Sequence, residues 1–355
     1  MPNKTRAPQR SSRAGAAKRR IQSPHILVQH DGITKASLPN GLTLVLKEMH
    51  VAPVTSFWVW YRVGSRNEHL GITGISHWVE HMLFKGTPTY SESELDRLVS
   101  REGGMRNGMT WMDWTTFYET MPSNKIDLAL RLEADRMVHS LIDPKEVKSE
   151  RAVIINERQG SENSPVFRLV EEVQAAAFKV HPYGHEVVGH LCDLTSMTRE
   201  DLYAHYRRYY TPNNAIVSLA GDFDTSEMLA RLARLYGRLK SGPAIAPLSA
   251  SEPQQHGEHR VIVKGEGSTD YLLMSFHAPP STGPDGQAHE DFFPLMALDS
   301  VLCGASGLSF TGGGTSNRSS RLSKALVDTG LAADVGAGVT PTIDPYLYSF
   351  FATAL

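Results

Sequence analysis

Apolar runs long enough to cross a bilayer are missing from this sequence. Stretches such as AIVSLAG at 215–221 have the length of a strand, against the roughly 20 residues that a membrane-spanning helix needs. Cysteine is nearly missing as well. Cys192 and Cys303 lie far apart and match no metal-ligand spacing, so buried thiols are expected and no disulfide framework is implied. An excess of one charge is also lacking: 36 Lys and Arg against 38 Asp and Glu leave a formal charge of −2. The body of the chain therefore gives no reason to expect a nucleic-acid or membrane partner. The glycine clusters GEGS at 265–268 and GGG at 312–314 lack the Lys-Ser/Thr that follows a phosphate-cradling loop, which argues against a nucleotide site.

The first twenty residues, MPNKTRAPQRSSRAGAAKRR, hold no acid and almost nothing to bury, but seven Lys or Arg. Residues 1–24 are expected to be a disordered basic tail. Organelle-targeting peptides share that composition, but two prolines and scarce apolar residues make a poor amphipathic helix. No apolar core of a secretory signal is present, so the sequons Asn3-Lys4-Thr5 and Asn317-Arg318-Ser319 are expected to carry no meaning. The expected localisation is cytoplasmic, with organelle targeting as the alternative.

What is present reads as a folded chain of two domains: 355 residues, 41% hydrophobic and 21% charged. GLTLVLKEMH (41–50) and VTSFWVWYRVGS (54–65) are β-branched and aromatic, hence strands. A helix follows from near Thr73 to Gly86, and another starts at Ser91, where Ser91 and Glu94 have capping-box spacing. GGMRNGMTWMDWTTFYETM (103–121) predicts a glycine turn and two strands, and 124–138 has helical periodicity. Asp143 and Pro144 open a helix over 143–159 as N-cap and first helical residue. Further helices are expected at 166–178, 197–210 and 225–239, with a strand at 214–223 between the last two.

Residues 241–257, rich in Pro, Ser, Ala and Gln, predict a linker between a first domain at 25–240 and a second at 258–355. Beyond it, HRVIVKG and DYLLMSFHAPP again predict two strands, and HEDFFPLMALDSVLCG again a helix. This order repeats 41–86, so two homologous αβ domains are expected, each a mixed, mostly antiparallel sheet with helices on one side. The second copy lacks the first copy's histidines and is less than half as long. It ends in the expected strand LYSFFATAL, as in a fragment of a longer repeat.

The chemistry-bearing segment is GISHWVEHMLFKGT at 74–87. His77 and His81 stand one helical turn apart on one face, where two imidazoles can address one metal ion, and Glu80 projects from nearly the same face. His-x-x-Glu-His supplies the groups of the zinc-protease motif His-Glu-x-x-His in inverted order. The bland alternative is a pair of core histidines beside a surface glutamate. Two histidines leave a catalytic zinc one protein ligand short. Glu150 and Glu157, seven residues apart on the helix 143–159, share one face, with Val153 and Ile154 between them. Glu146, Lys148, Arg151 and Arg158 fit a charged, solvent-facing helix instead. Spacing alone does not choose between the two glutamates.

At these residues the sequence resembles the pitrilysin/insulinase-type metallopeptidases, the M16 family, and within it the smaller bacterial members and the mitochondrial processing peptidase β subunits. GSRNE (64–68), HMLFKGT (81–87), the Asn107 segment, ERAVIINE (150–157), HPYGHEVVGH (181–190), YTPNNAIVSLAGDF (210–223) and SSRLSKALVDTGLA (319–332) carry the resemblance in order. It implies His77, His81 and Glu157 as ligands of one zinc per chain, Glu80 as general base, and Glu150 as an acid that supports the histidines. It also implies that Asn107 and Gly108 lie on an edge strand where an extended peptide pairs, with glycine standing where the family has alanine. The implied activity is zinc-dependent endopeptidase action on unfolded oligopeptides or targeting peptides. The alternative is a non-catalytic, peptide-binding or structural subunit of the same fold. Because the family encloses substrate between two two-domain halves, a homodimer or a heterodimer with a related subunit is expected.

Overall fold

The computed structural model describes residues 23–283, 286–304 and 318–355. Nearly all of the basic tail, the GGG cluster and both asparagines of the sequons lie outside them. The larger of two sheets has seven strands: β1 (His25–His30), β2 (Ile33–Ser37), β3 (Thr43–Glu48), β4 (Val54–Tyr61), β5 (Met105–Thr110), β6 (Thr115–Pro122) and β7 (Ala215–Gly221). Their spatial order is β1-β2-β3-β7-β4-β6-β5. Every neighbouring pair is antiparallel except β3 with β7.

The helices of this unit are α1 (Ile75–Leu83), α2 (Glu92–Arg101), α3 (Ile126–His139), α4 (Pro144–Glu162), α5 (Pro165–Ala177), α6 (Leu191–Ser196), α7 (Arg199–Tyr209) and α8 (Thr225–Tyr236). Strand alternation sends Leu44, Leu46, Phe57, Val59, Phe117, Met121, Val217 and Leu219 into one core. That core is shared with Trp78 of α1, Leu130 of α3, Ile154 of α4, Leu202 of α7 and Leu232 of α8. On the other face of the sheet, Trp58 stacks on Trp60 and on Tyr118 with ring centroids 5.3 and 4.1 Å apart.

The start signals act as expected. Ser91 and Glu94 form a capping box, and the Asp143 carboxylate accepts the Lys145 N–H at 2.8 Å. One hairpin escaped the sequence reading: β1 and β2 are joined by Asp31-Gly32, both with positive φ. Asp-Gly between apolar runs is a strong two-residue hairpin signal, and it was present at 31–32.

The smaller sheet comprises β8 (Tyr271–Ala278), β9 (Ala332–Val339) and β10 (Tyr346–Ala354) in the order β8-β10-β9, all antiparallel. The helix α9 (Phe292–Cys303) packs on β9. β8 followed by α9 echoes β4 followed by α1. The expected strand HRVIVKG does not form: residues 258–265 lie in no ladder, and Ile262 is 80% exposed. An apolar, β-branched run becomes a strand only beside a partner edge, and none of the described strands pairs with this segment. Cys192, expected to be buried, is exposed, while Cys303 is half-buried; both are free thiols.

The two sheets are joined by a polar cluster. Arg66 pairs with Asp344, and Asp113 accepts from the Tyr183 hydroxyl at 2.6 Å and from the Ile343 N–H at 2.9 Å. Met112, Phe178, Tyr183 and Leu347 pack beside it. Arg66 lies 3.8 Å from Asp113 as well, so one guanidinium serves two carboxylates. Arg66→Ala would remove the cation from both, while Asp113 keeps its bonds from Tyr183 and Ile343 and Asp344 keeps His181, and we expect a loss of about 1–3 kcal/mol in urea unfolding. Arg260→Ala, at a solvent-exposed pair with Glu258, should leave the midpoint unchanged.

His205 of α7 is buried, with Nε2 3.2 Å from the Ser76 hydroxyl. Burial pushes its pKa from 6.5 down to about 3, so the folded protein keeps it neutral while the unfolded chain protonates. The sign follows from that difference. Its contribution is full above about pH 6.5 and is lost as pH falls toward 3, by up to about 1.4 kcal/mol per pH unit. Urea midpoints taken between about pH 6.5 and pH 5 should fall less steeply for His205→Gln than for the wild-type chain.

Candidate metal centre

The start of α1 is fixed by the GSRNE turn just before it and by residues 188–193, more than a hundred positions later. The Glu68 carboxylate accepts the backbone N–H groups of Gly74 and Ser76 at 2.7 and 2.8 Å, capping the helix. Asp193 accepts from the Thr73 hydroxyl at 2.6 Å and from the Gly71 N–H at 3.0 Å. Gly74 has φ +87, and a Cβ there would lie 2.4 Å from the Val188 carbonyl oxygen. Only glycine permits this approach of the 181–190 loop. The GSRNE and HPYGHEVVGH segments thus place α1 without contributing ligands.

The helix α4 lies across α1 and is anchored by its apolar and basic residues. Ile154 is buried in the core, whereas Val153 is exposed. Arg151 and Arg158 are not the solvated charges the sequence suggested. Arg151 donates to the carbonyls of Leu194 and Met197 and lies over the Trp78 ring, 4.8 Å from its centroid. Arg158 is buried, bound to Glu162, Glu171 and the Gly189 carbonyl.

His77, His81 and Glu157 come together. The two Nε2 atoms are 3.2 Å apart, and Glu157 Oε2 lies 3.8 Å from that of His77 and 3.6 Å from that of His81. Among the described residues this is the group of His, Cys, Asp and Glu side chains able to hold a metal ion. Bonds of about 2.0–2.1 Å in a tetrahedral site set neighbouring ligand atoms about 3.4 Å apart, so the triangle fits zinc. The donor set fits too, because two imidazole nitrogens and a carboxylate oxygen are groups that zinc accepts.

Glu150 sits one step behind. Its Oε1 is 2.8 Å from His81 Nδ1, and its Oε2 is 2.8 Å from Lys85 Nζ. The bond to His81 holds the Glu150 carboxyl below its ordinary pKa. Burial works against a charge on His81, but Glu150 and the neighbouring carboxylates outweigh it and raise the ring's pKa. With Nδ1 carrying the proton toward Glu150, the Nε2 lone pair is directed at the triangle. Burial, with His81 beside it, drives the His77 pKa down to about 3, so this ring is neutral and able to ligate. Its buried Nδ1 has no hydrogen-bond partner among the described residues.

Glu80 lies between α1 and the strand β5. Burial raises its carboxyl to about 7, against the opposing pull of His81 and of a hydrogen bond from Thr110, whose hydroxyl donates to Oε2 at 3.2 Å. β5 is one of the two outer strands of the seven-stranded sheet. Asn107 is exposed there, and its side-chain oxygen accepts the Gly108 N–H at 2.9 Å. A Cβ at Gly108 would lie 2.9 Å from Glu80 Oε1 and 3.0 Å from the rings of Phe84 and Phe117. The glycine therefore lies directly against the acid. Thr110, which touches Glu80, was missed in the sequence because nothing in its spacing announces a contact with a helix thirty residues earlier.

Two family models match the chain: Insulinase (Peptidase family M16) over residues 43–190 and the Peptidase M16 inactive domain over 196–355. The first contains all three clustered residues. Relatives include an uncharacterized zinc protease of Mycobacterium leprae, 29% identical over 91% of this chain and 69% of its own length. The zinc protease PqqE of Helicobacter pylori is 30% identical over 78% of this chain and 61% of the relative. A probable mitochondrial-processing peptidase subunit beta of Arabidopsis thaliana is 29% identical over 79% of this chain and 53% of the relative. The chain thus spans little more than half to about two thirds of the curated relatives it matches. The crystal structure of a protease from Helicobacter pylori superposes with a TM-score of 0.83 at 28% identity, covering 94% of this chain and 76% of that one.

If Glu150 supports His81 as this geometry indicates, Glu150→Ala should weaken zinc binding about 10–100-fold in chelator competition. Glu157→Ala should lower it further if Glu157 is itself a ligand, since the substitution then removes a donor atom rather than a donor's support.

Proposed function

We propose that this chain, which belongs to peptidase family M16, is a zinc-dependent endopeptidase that cuts extended oligopeptides. The observation that carries the reading is the convergence of His77 Nε2, His81 Nε2 and Glu157 Oε2 beside the buried carboxylate of Glu80. His77, His81 and Glu157 would hold the ion and leave a fourth position open. Zinc, when bound, supplies Lewis acidity, which acidifies water and polarises a carbonyl.

The protein's own part is positioning and proton transfer. Glu80 takes a proton from the attacking water and delivers it to the departing amine. A carboxyl near 7 suits both directions, since proton transfer is most efficient when the pKa lies near the working pH. An extended peptide is bound by the open edge of β5 through backbone hydrogen bonds, with Asn107 turning from the Gly108 N–H toward it. Only a segment free to become a strand fits such an edge, so unfolded peptides, targeting peptides among them, are the substrate class. The half-exposed Glu157 leaves the centre open on one side. A second copy or a related subunit would close it, a reading that the relative named as a subunit beta supports.

Wild-type protein and Glu80→Gln should each carry one zinc. On a quenched fluorescent peptide, the variant's turnover should fall about 10²–10⁴-fold. Equal turnover would overturn the peptidase reading, and absence of zinc from both would overturn the ligand assignment.

A further inference from the structure

We propose that Thr110 is a positioning residue for the carboxylate of Glu80, so that β5 serves the reaction from its inner face as well as from its open edge. The inference rests on the peptidase reading above. Successive residues of β5 point to opposite sides. Arg106, Gly108 and Thr110 turn toward α1: Arg106 lies over the Phe84 ring, 5.1 Å from its centroid, and the other two meet Glu80.

The two oxygens of Glu80 are treated differently. Oε2 accepts the Thr110 hydroxyl at 3.2 Å, and among the described residues this is the one hydrogen bond to the carboxylate. Oε1 lies where a side chain at position 108 would begin, 2.9 Å from the place of the missing Cβ. The acid is thus held by one oxygen, while glycine keeps clear the room that the other occupies.

A glutamate side chain has three torsions, and burial alone does not choose among their combinations. A hydroxyl on a strand does choose, because the β-branched threonine is stiff at χ1 and the strand itself is paired to β6 through Gly108↔Phe117 and Thr110↔Thr115. With Oε2 engaged, Oε1 is left to accept and return the proton. Small misplacements of a catalytic group cost large factors in rate, so the hydroxyl belongs to the catalytic geometry although it touches neither metal nor substrate.

The test compares Thr110→Val, which keeps the shape and removes the donor, with Thr110→Ser, which keeps the donor. Thr110→Val should lower kcat about tenfold with KM within about twofold, bind zinc as wild type does, and add no further loss to Glu80→Gln. Thr110→Ser should retain most of the wild-type kcat. The bond is also read without turnover: in ¹³C-glutamate-labelled protein the carboxyl resonance that disappears in Glu80→Gln should shift in Thr110→Val and stay in Thr110→Ser. If Thr110→Val matches wild type in kcat while Glu80→Gln is inactive, the positioning role is overturned and the peptidase reading stands. If Glu80→Gln turns over like wild type, the peptidase reading falls and the role with it, and the resonance then reports only whether the contact exists. A loss of kcat in Thr110→Val that persists in full on the Glu80→Gln background would also overturn the proposal, because the two residues would then act separately.

Discussion

Three lone pairs aimed at one point are the constraint on which the rest of the molecule depends. Two imidazole nitrogens 3.2 Å apart, with a carboxylate oxygen within 3.8 Å of both, are not a stable arrangement of neutral acceptors and an anion. They must be forced together or joined by a cation. Here the scaffold supplies the first and leaves the three groups where the second could act. Glu68, Asp193 and the 181–190 loop fix the start of α1, and Glu150 turns His81 so that its free nitrogen faces inward. The site is held from behind, where water does not compete, and is open in front, where Glu157 reaches solvent.

The same scaffold sets the relation between the metal site and the strand edge. Among the described strands β5 pairs with β6 alone, so its outer edge carries no described partner, while its inner face rests on α1 and contacts Glu80. Glu80, the triangle of His77, His81 and Glu157, and the outer edge of β5 are therefore parts of one packed layer. The smaller sheet is tied to that layer at the turn between β5 and β6 and at the GSRNE segment, through Asp113 and Arg66. None of its described residues joins the triangle of His77, His81 and Glu157, and the family model matched over 196–355 is described as an inactive domain.

Much of this was legible in the sequence because it rests on local rules. The i, i+4 spacing of His77 and His81, the Asp143-Pro144 helix start and the Ser91–Glu94 box are satisfied within one or two helical turns. The choice between Glu150 and Glu157 was not legible from spacing, since both project from one face of α4 and differ only in which part of α1 they meet. The resemblance favoured Glu157, and the geometry places it in the triangle with Glu150 behind His81. The misreadings share a cause. HRVIVKG and Cys192 each depend on a distant neighbour, present or absent, that no local pattern encodes, and the same holds for the alternative that took Arg151 and Arg158 as solvated. The Asp31-Gly32 hairpin is different, because its signal was local.

The account stands on an ion held by two nitrogens and an oxygen, and X-ray absorption at the zinc edge tests that most directly. Zinc-loaded protein should show a first shell of nitrogen and oxygen near about 2.0–2.1 Å with the outer-shell scattering of two imidazoles. A sulfur scatterer near about 2.3 Å, or a shell without imidazole, would contradict it.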